Sequence, residues 1–303
     1  MFEGSGAERI VTEGVRLADY TSFKIGGPAR FFALPSSVEE LALVIRECRK
    51  NSLDFFVIGN GTNLLVSDEG YDGCVICTRA LKTDTSLTER EDGLEAVLSA
   101  GESLSKKAKE ISKMGYEGFE FATGIPGSVG GAVVMNAGAY GGEIKDCIKS
   151  VEVLFEDGRI GTLKAEELSL GYRHSVFQDE DHERDIVLTA RFDLKKGNPG
   201  TILFKVDQQL RARRDRQPIE YPSAGSVFKR PEGNYAGKLI QEAGLMGMKV
   251  GGAAVSEKHA NFIINEGTAT AADVAELIDK VRERVYENSG VMLEPEVRRL
   301  GKF

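Results

Sequence analysis

The chain has 303 residues, more than one ordinary hydrophobic core supports, which predicts two or three domains. Hydrophobic residues make up 41% and charged residues 28%, a globular composition that excludes an intrinsically disordered chain. The formal net charge of -8 argues against a general nucleic-acid binder, although local cation clusters can still bind a small anion.

The first block of the chain reads as β-α-β. An extended segment, residues 22–34, precedes a helix that begins with a capping box formed by Ser37 and Glu40. Leu41, Val44, Ile45 and Cys48 fall on one face of this helix, and residues 54–58 follow as a strand. The pattern predicts a small sheet with a helix packed on it.

The second block, residues 79–200, is mostly strands. Residues 96–100, 150–155 and 186–194 show strand patterns, and Asp157-Gly158 predicts a hairpin turn. A helix over 104–114 ends at Gly115.

The third block begins after a linker composition at 196–200 and alternates helices with short strands. A first helix reaches Arg214 before Pro218, and a second covers 235–243. Residues 251–255 and 261–265 are predicted strands. The last helix has Thr270 as its N-cap with Asp273 three residues on, and it ends at Gly290. The tail, residues 291–300, reads as a strand that returns to the second block.

A glycine-rich loop, VIGNGTNLLVSD (57–68), follows a predicted strand. Its G-x-G lacks the third glycine and the helix of a dinucleotide-binding Rossmann fingerprint, because Leu64 takes the third position. The favoured interpretation is a turn whose backbone N–H groups point inward and bind an anion without a lysine. Gly59 and Gly61 let a phosphate approach the backbone closely.

A second loop, residues 124–142, holds seven glycines in 19 residues, interleaved with Ile, Val, Met and Ala. Such a segment is packed, and close approach to a flat ligand explains the combination. The alternative is a buried crossing of helices or hairpins without a ligand. Together the two loops predict a site for the pyrophosphate of one dinucleotide cofactor.

The four cysteines, Cys48, Cys74, Cys77 and Cys147, are interpreted as ordinary buried thiols. Cys74 and Cys77 form a C-x-x-C, but it lies in an apolar, strand-like run and no second ligand pair is available for zinc. The three histidines have no metal-like spacing, so no metal site is predicted.

Six segments, in order along nearly the whole chain, resemble the UDP-N-acetylenolpyruvoylglucosamine reductase family. They are SFKIGGPARFF (22–32), VIGNGTNLLVSD (57–68), GIPGSVGGAVVMNAGAYGGEI (124–144), GYRHSVF (171–177), YPSAGSVFKRP (221–231) and EPEVRRLG (294–301). The short stretch between Arg173 and Ser226 resembles the second of the family's two forms. The family commonly has Asn where this chain has Arg230, which puts one local substrate contact in question.

The resemblance implies an α+β protein. It implies an FAD-binding domain of the vanillyl-alcohol oxidase type in two α/β lobes, residues 1–78 and 79–200, with the C-terminal strand 291–303 returning to the second lobe. An α+β substrate-binding domain would occupy residues 201–290.

The resemblance also implies NADPH-dependent, FAD-mediated reduction of UDP-N-acetylglucosamine enolpyruvate to UDP-N-acetylmuramate, a peptidoglycan precursor. Ser226 would donate the proton, Arg173 would stabilise the enolate, and Glu296 would act beside the substrate carboxylate. Taken alone, Ser226 reads as a turn serine, Arg173 as a surface arginine and Glu296 as an exposed strand-end carboxylate.

The binding residues follow from the same motifs. Non-covalent FAD is expected at Gly59, Asn60, Gly61, Thr62, Asn63, Gly124, Pro126, Gly127, Ser128, Gly130, Gly131, Asn136 and Gly138. Substrate is expected at Tyr172, Arg216, Lys229, Arg230 and Arg298, because a UDP-sugar diphosphate needs cations.

The two glycine-rich loops are also compatible with two other functions. A flavin oxidase of the same fold would act on a sugar alcohol or phenol, but such enzymes often hold FAD through a His or Cys, and neither loop has one. A non-catalytic nucleotide-binding regulator would not need Ser226, Arg173 and Glu296 together.

The N-terminus lacks a signal-peptide pattern, and no apolar run is long enough to span a bilayer. We therefore expect a cytoplasmic protein, a monomer or weak oligomer, that contacts neither nucleic acid nor membrane.

Overall fold

A computed structural model describes residues 1–2 and 4–303 and divides the chain into two compact units, both built from separate stretches. Unit 1 comprises Met1–Thr12, Phe32–Asn60 and Val75–Arg213. Unit 2 comprises Glu13–Phe31, Gly61–Cys74 and Arg214–Phe303.

Helices and short strands alternate along the described residues. The helices are α1 (Val38–Lys50), α2 (Leu104–Lys113), α3 (Val129–Val134), α4 (Pro199–Arg216), α5 (Ala236–Glu242) and α6 (Ala271–Ser289). The strands are β1 (Val11–Arg16), β2 (Pro28–Ala33), β3 (Phe55–Ile58), β4 (Leu64–Val66), β5 (Tyr71–Cys77), β6 (Ser86–Glu89), β7 (Gly93–Ser99), β8 (Tyr116–Glu117), β9 (Gly138–Ala139), β10 (Gly142–Glu143), β11 (Ile148–Leu154), β12 (Ile160–Lys164), β13 (Ile186–Lys196), β14 (Ser223–Ser226), β15 (Lys249–Val250), β16 (Ala253–Val255), β17 (Phe262–Asn265) and β18 (Arg298–Leu300). One sheet has the order β1-β2-β5-β3.

Unit 1 contains a sheet with the antiparallel order β12-β11-β13-β7-β6, in which β8 also pairs with β13. The period-2 alternation of β7 buries Leu94, Ala96 and Leu98 on the face against which α3 packs. The opposite face carries ion pairs, including Arg191 Nη1 to Glu95 Oε1 at 2.6 Å. One face of this sheet therefore forms the core that supports the glycine-rich segment 124–142.

Unit 2 contains an antiparallel sheet of order β14-β17-β16-β15 with the long helix α6 packed on β15 and β16. The helix buries Val274, Leu277, Ile278, Val281 and Val285, the helical spacing predicted from the sequence. In the same unit β18 pairs in parallel with β4, with Arg298 opposite Leu64.

This pairing corrects one prediction. The tail does not return to residues 79–200 but adds to β4, and only Arg298–Leu300 of the predicted 291–300 is a strand. The tail pairs with β4 in a defined register, from Arg298 opposite Leu64 to Leu300 opposite Val66. The N–H of Ser67 then donates to Leu300 O at 2.8 Å and continues this ladder. The three-domain division itself stays a prediction.

The predicted helix ends are largely confirmed. Thr270 and Asp273 form a capping box, and Gly290 closes α6 at φ 71°. Ser37 caps α1, but the Glu40 carboxylate accepts from the N–H of Ser36 at 2.6 Å, one residue earlier than a standard box. The predicted linker at 196–200 is wrong, because β13 runs to Lys196 and α4 begins with Pro199 at its first position.

All four cysteines are buried, as predicted. Cys74 and Cys77 lie on β5, and burial raises the pKa of the Cys77 thiol. None of the helices in the described part of the chain combines the length and apolar character that crossing a membrane requires.

Candidate functional site

The first glycine-rich loop leaves β3 after Ile58 and has the backbone of an anion-binding turn. Gly61 has φ 59°, and a Cβ there would collide with the carbonyl oxygen of Tyr20, so only glycine fits. Within the described residues, the N–H groups of Asn60, Gly61 and Thr62 donate no hydrogen bond. Three successive N–H groups without acceptors are what an anion-binding turn needs.

The second glycine-rich segment folds into regular elements rather than an open loop. It contains α3 and the β9–β10 hairpin, and Ser128 caps α3 by accepting from the N–H of Gly131 at 3.2 Å. A Cβ on Gly130 would lie 2.8 Å from Ala100 Cβ, and the Gly130 N–H donates to Ala100 O at 2.9 Å. Gly130 is therefore needed for packing, whatever else it contacts.

Gly59 and Ser128 bring the two segments together in unit 1. A Cβ on Gly59 would overlap Ser128 Oγ and lie 3.0 Å from Ser128 Cβ. The absence of a side chain at Gly59 is thus what lets the first loop lie against the cap of α3. The thiol of Cys77 also contacts this loop, with its Sγ 3.8 Å from Gly59 O.

Arg173 lies in a tight turn in which the N–H and C=O groups of Gly171 and His174 bond to each other at 3.1 and 3.2 Å. Its own φ is 55°, a conformation that is costly for a residue with a Cβ. Its guanidinium donates from Nη2 to Gly138 O at 3.0 Å. The predicted catalytic arginine and the predicted cofactor residue Gly138 are therefore neighbours.

The side chain of Asn136 is hydrogen-bonded to the turn that carries Arg173. Its side chain is fully buried, donates to Gly171 O at 2.7 Å and to Glu143 Oε2 at 3.0 Å, and accepts from the N–H of Lys145 at 2.9 Å. These bonds occupy the amide, so the structure gives Asn136 an architectural task that the sequence did not indicate.

Ser226 ends β14, where it pairs with Phe262 of β17. The register shifts between Ser223 and Ser226, and Gly225 in the irregular stretch has φ 78°. A bulge of this kind re-aims the side chain that follows it. Ser226 is half-buried, as expected for a hydroxyl at the edge of a ligand site.

Glu296 is tied to the segment that carries Ser226 and to the first loop. Its N–H donates to Val227 O at 2.7 Å, and its carbonyl accepts from Asn63 Nδ2 at 3.0 Å. The N–H of Arg298 donates to Asn63 O at 3.1 Å. Within unit 2, one run of backbone and side-chain hydrogen bonds therefore links the end of the first loop, the predicted acid and the residue after the predicted proton donor.

The predicted substrate cations of unit 2 differ in their surroundings. Lys229 Nζ pairs with Glu294 Oε1 at 2.5 Å. The guanidinium of Arg230 lies 4.0 Å from the ring centroid of Tyr235, an exposed cation–π stack. Arg216, at the end of α4, and Arg298, in β18, are exposed. Tyr172 of unit 1 is also exposed, and the guanidinium of Arg173 lies 5.1 Å from its ring.

Arg213 is not among the residues predicted from the sequence to bind cofactor or substrate. It lies on α4 with its Cδ 3.2 Å from the position of a Cβ on Gly124, and burial lowers the pKa of its guanidinium. The helical spacing of the buried residues Ile202, Val206 and Gln209 leads to Arg213 and could have indicated this placement.

Asn261 was also missed. Its buried side chain bonds both backbone groups of Phe228, two residues after Ser226. A lone asparagine before an apolar strand carries no sequence signal for such a contact.

The class of protein follows from the comparisons with known proteins. Residues 29–164 match the family model described as "FAD binding domain", and residues 217–300 match the one described as "UDP-N-acetylenolpyruvoylglucosamine reductase, C-terminal domain". The chain is an FAD-dependent oxidoreductase. The predicted fold class, α+β with an FAD-binding domain, is confirmed.

The family follows from full-length relatives. The chain is 53% identical to the UDP-N-acetylenolpyruvoylglucosamine reductase of Lachnoclostridium phytofermentans, over 96% of this chain and 93% of that protein. It is 44% identical to that of Exiguobacterium sibiricum, over 100% and 96%. The crystal structure of the Thermus caldophilus reductase superposes with a TM-score of 0.78 at 40% identity, covering 95% and 98%. The chain belongs to the UDP-N-acetylenolpyruvoylglucosamine reductase family, as its motifs predicted.

Proposed function

We propose that this enzyme reduces UDP-N-acetylglucosamine enolpyruvate to UDP-N-acetylmuramate with NADPH, in the cytoplasmic synthesis of peptidoglycan precursors. The observation that carries the proposal is the hydrogen-bonded run in unit 2 that joins Asn63, Glu296 and Val227, because it attaches two candidate catalytic groups to the candidate cofactor loop. Family membership supplies the reaction.

The residues present fit FAD. The N–H groups of Asn60, Gly61 and Thr62 suit the pyrophosphate, and the bare Cα of Gly59 keeps the first loop against Ser128. The positive guanidinium of Arg213 beside Gly124 suits the same kind of anion, and we add it to the predicted set. When bound, FAD supplies the hydride for the enol ether. The remaining predicted contacts, at Asn63 and along residues 124–138, are part of the same proposal.

Ser226 is proposed to donate the proton that the enolate carbon needs after hydride addition to the neighbouring carbon. A C–H bond forms at each carbon as the C=C double bond is reduced, and Ser226 recovers its proton from solvent. A positioned proton donor contributes on the order of 10² to 10⁴ in rate. The bulge before Ser226 provides the positioning that a weakly acidic hydroxyl requires.

Arg173 and Glu296 are proposed to act on the charge that develops at the substrate carboxylate. The guanidinium of Arg173 is held by Gly138 O and by its turn, which reduces the reorganisation it needs when negative charge forms. Glu296, if protonated beside the substrate carboxylate, shares a proton with it. Tyr172, Arg216, Lys229, Arg230 and Arg298 are proposed to bind the nucleotide sugar, with the Arg230–Tyr235 stack replacing the amide that is common in the family.

The test is anaerobic reduction of the enzyme with NADPH followed by the enolpyruvyl substrate. Ser226→Ala is expected to accept electrons from NADPH within twofold of the wild-type rate but to be reoxidised by substrate at least 100-fold more slowly. Normal turnover by Ser226→Ala would refute the donor role. Rapid reoxidation by oxygen with no response to the UDP-sugar would favour a flavin oxidase, and a colourless protein that binds no added FAD would refute the whole proposal. Sedimentation of the same sample tests the predicted monomer or weak oligomer.

A further inference from the structure

The N–H and C=O groups of Phe228 bond to a side chain, while its backbone also forms an antiparallel β-bridge with Pro295 on the other side. Its N–H donates to Asn261 Oδ1 at 3.1 Å, and its carbonyl accepts from Asn261 Nδ2 at 2.9 Å. Phe228 is 2% exposed and Asn261 is 9% exposed. Both bonds are therefore shielded from water, which cannot replace them if the amide is lost.

A side chain is needed because the β-ladder ends at this point. Ser226 pairs with Phe262, and the N–H of Val227 still reaches the carbonyl of Asn261 at 2.8 Å. Before Asn261 the chain turns away, since the N–H of Phe262 donates back to His259 O at 2.9 Å. No backbone of β17 remains opposite Phe228, and the amide of Asn261 supplies one donor and one acceptor in its place.

The other edge of the same segment is bonded to the segment that carries Glu296. Val227 O accepts from the N–H of Glu296 at 2.7 Å, and the N–H of Lys229 donates to Glu294 O at 2.8 Å. Residues 227–229 are thus bonded on both edges, and Asn261 forms most of one edge. If its amide is removed, the buried N–H and C=O of Phe228 lose their partners, and the segment must shift to recover them.

We propose that Asn261 is a positioning residue that sets the place of Ser226 for proton delivery. It does not touch substrate; it holds the backbone two residues beyond the serine, while the bulge at Gly225 fixes the other side. The inference rests on the proposed function, in which Ser226 donates the proton. Displacements of about 1 Å in a reacting group can cost 10²-fold in rate.

Asn265 offers a matched control on the same strand. Its side chain is also buried, at 4% exposure, and makes three hydrogen bonds, donating to Phe23 O at 3.0 Å and accepting from the N–H groups of Gly267 and Ala269 at 2.7 and 3.1 Å. None of these bonds involves the segment 226–229. A substitution at Asn265 therefore removes comparable structural bonds without loosening Ser226.

The experiment compares Asn261→Leu and Asn261→Asp with Asn265→Leu, all as FAD-loaded enzymes. The bound flavin is reduced anaerobically with dithionite, and reoxidation by UDP-N-acetylglucosamine enolpyruvate is followed in H₂O and in D₂O. Reduction by NADPH and the thermal midpoint are measured on the same samples.

Both Asn261 variants should be reoxidised about 10- to 100-fold more slowly than wild type, with a larger solvent isotope effect, because proton delivery becomes slower relative to the other steps. Their reduction by NADPH should change less than twofold. Asn265→Leu should lower the thermal midpoint to a similar extent and leave reoxidation within about twofold. Should Asn261→Leu fail to fold, Asn261→Ser, whose hydroxyl can bond only one of the two Phe228 groups, should give an intermediate rate.

Wild-type reoxidation rates and isotope effects in the Asn261 variants would overturn the inference. So would equal slowing by Asn261→Leu and Asn265→Leu in both half-reactions, which is the behaviour of a merely structural residue. If wild-type enzyme itself is not reoxidised by the substrate, the proposed function fails, and this outcome is distinguishable because it does not depend on any variant.

Discussion

At the scale of single residues, the glycines of the two glycine-rich segments are required for different physical reasons. Gly61 is required by its positive φ and by the Tyr20 carbonyl, whereas Gly130 is required by its contact with Ala100. Gly59 has an ordinary backbone conformation, and a Cβ there would collide with the side chain of Ser128. A constraint that resides in one neighbouring side chain can be relieved by changing that neighbour.

We expect Gly59→Ala to weaken FAD binding at least tenfold and to destabilise the protein by about 1–3 kcal/mol, because the new methyl group overlaps Ser128. The double variant Gly59→Ala/Ser128→Gly should recover most of the lost stability, since the overlap is removed and glycine is a tolerable N-cap that costs only a few tenths of a kcal/mol. Flavin fluorescence titration and thermal unfolding provide the measurements, with Ser128→Gly alone as control. A Gly59→Ala variant that binds FAD as tightly as wild type would show that the contact with Ser128 is unimportant.

At the scale of elements, helix α6 has an unusually complete N-terminus. Thr270 and Asp273 form the capping box, and the carboxylate of Asp68 accepts from the N–H groups of Ala271 and Ala272 at 2.8 and 3.0 Å. Negative charge at a helix N-terminus is favourable, because the helix dipole places partial positive charge there. Asp68 belongs to the stretch that begins with the first glycine loop, so α6 also anchors the far end of that stretch.

The Asp273 contribution should depend on pH. Hydrogen bonds from the backbone, with that from the Thr270 N–H the largest, hold the pKa of Asp273 below its usual value near 3.8. Because the folded-state pKa is the lower one, the stabilisation is present above about pH 4 and is lost as pH falls through the folded-state value. In Asp273→Asn this part of the acid dependence should disappear, at a cost of about 1 kcal/mol at neutral pH.

Urea unfolding between pH 2.5 and 7, followed by circular dichroism, measures this effect. Glu283→Gln, an exposed carboxylate of the same helix, is the control and should keep the wild-type acid profile. An unchanged acid profile in Asp273→Asn would contradict the capping argument.

At the scale of the whole molecule, the sequence order and the compact units do not coincide. The first glycine-rich loop, residues 57–68, is divided between the units, because unit 1 ends a stretch at Asn60 and unit 2 begins one at Gly61. FAD, proposed to bind this loop, is a ligand of the folded protein. Ligand binding to the native state alone raises stability by mass action.

We therefore expect FAD to raise the thermal midpoint of the apoprotein. At 100 times its Kd, FAD should add about 2.7 kcal/mol, which is a rise in Tm of about 4 °C for a chain of this size. FMN lacks the pyrophosphate linkage to adenosine and should shift the Tm far less at the same concentration. Differential scanning calorimetry with both ligands tests the expectation, and an equal shift by FMN would count against pyrophosphate binding at the loop.

Structural features that depend on residues close together in the chain were predictable from the sequence, whereas contacts between distant residues were not. The helix over Ala271–Ser289, its Thr270 cap and its Gly290 end were predictable, because apolar spacing and capping chemistry are local properties of the chain. The six family motifs, which include the candidate catalytic residues, were equally readable. The linker predicted before α4 failed because Pro199 at a helix start and Pro199 in a loop look alike in sequence.

The sequence by itself thus determined the family, the cofactor class, the main helices and the identity of Ser226, Arg173 and Glu296 as candidates. Only the tertiary structure decided that Arg298–Leu300 pairs with Leu64–Val66, that Gly59 lies against Ser128 and that Asn261 holds Phe228. The physical reason is that periodicity and caps report on neighbours within a few residues. These three contacts join residues 33 to more than 200 positions apart, and their geometry exists only once the chain has folded.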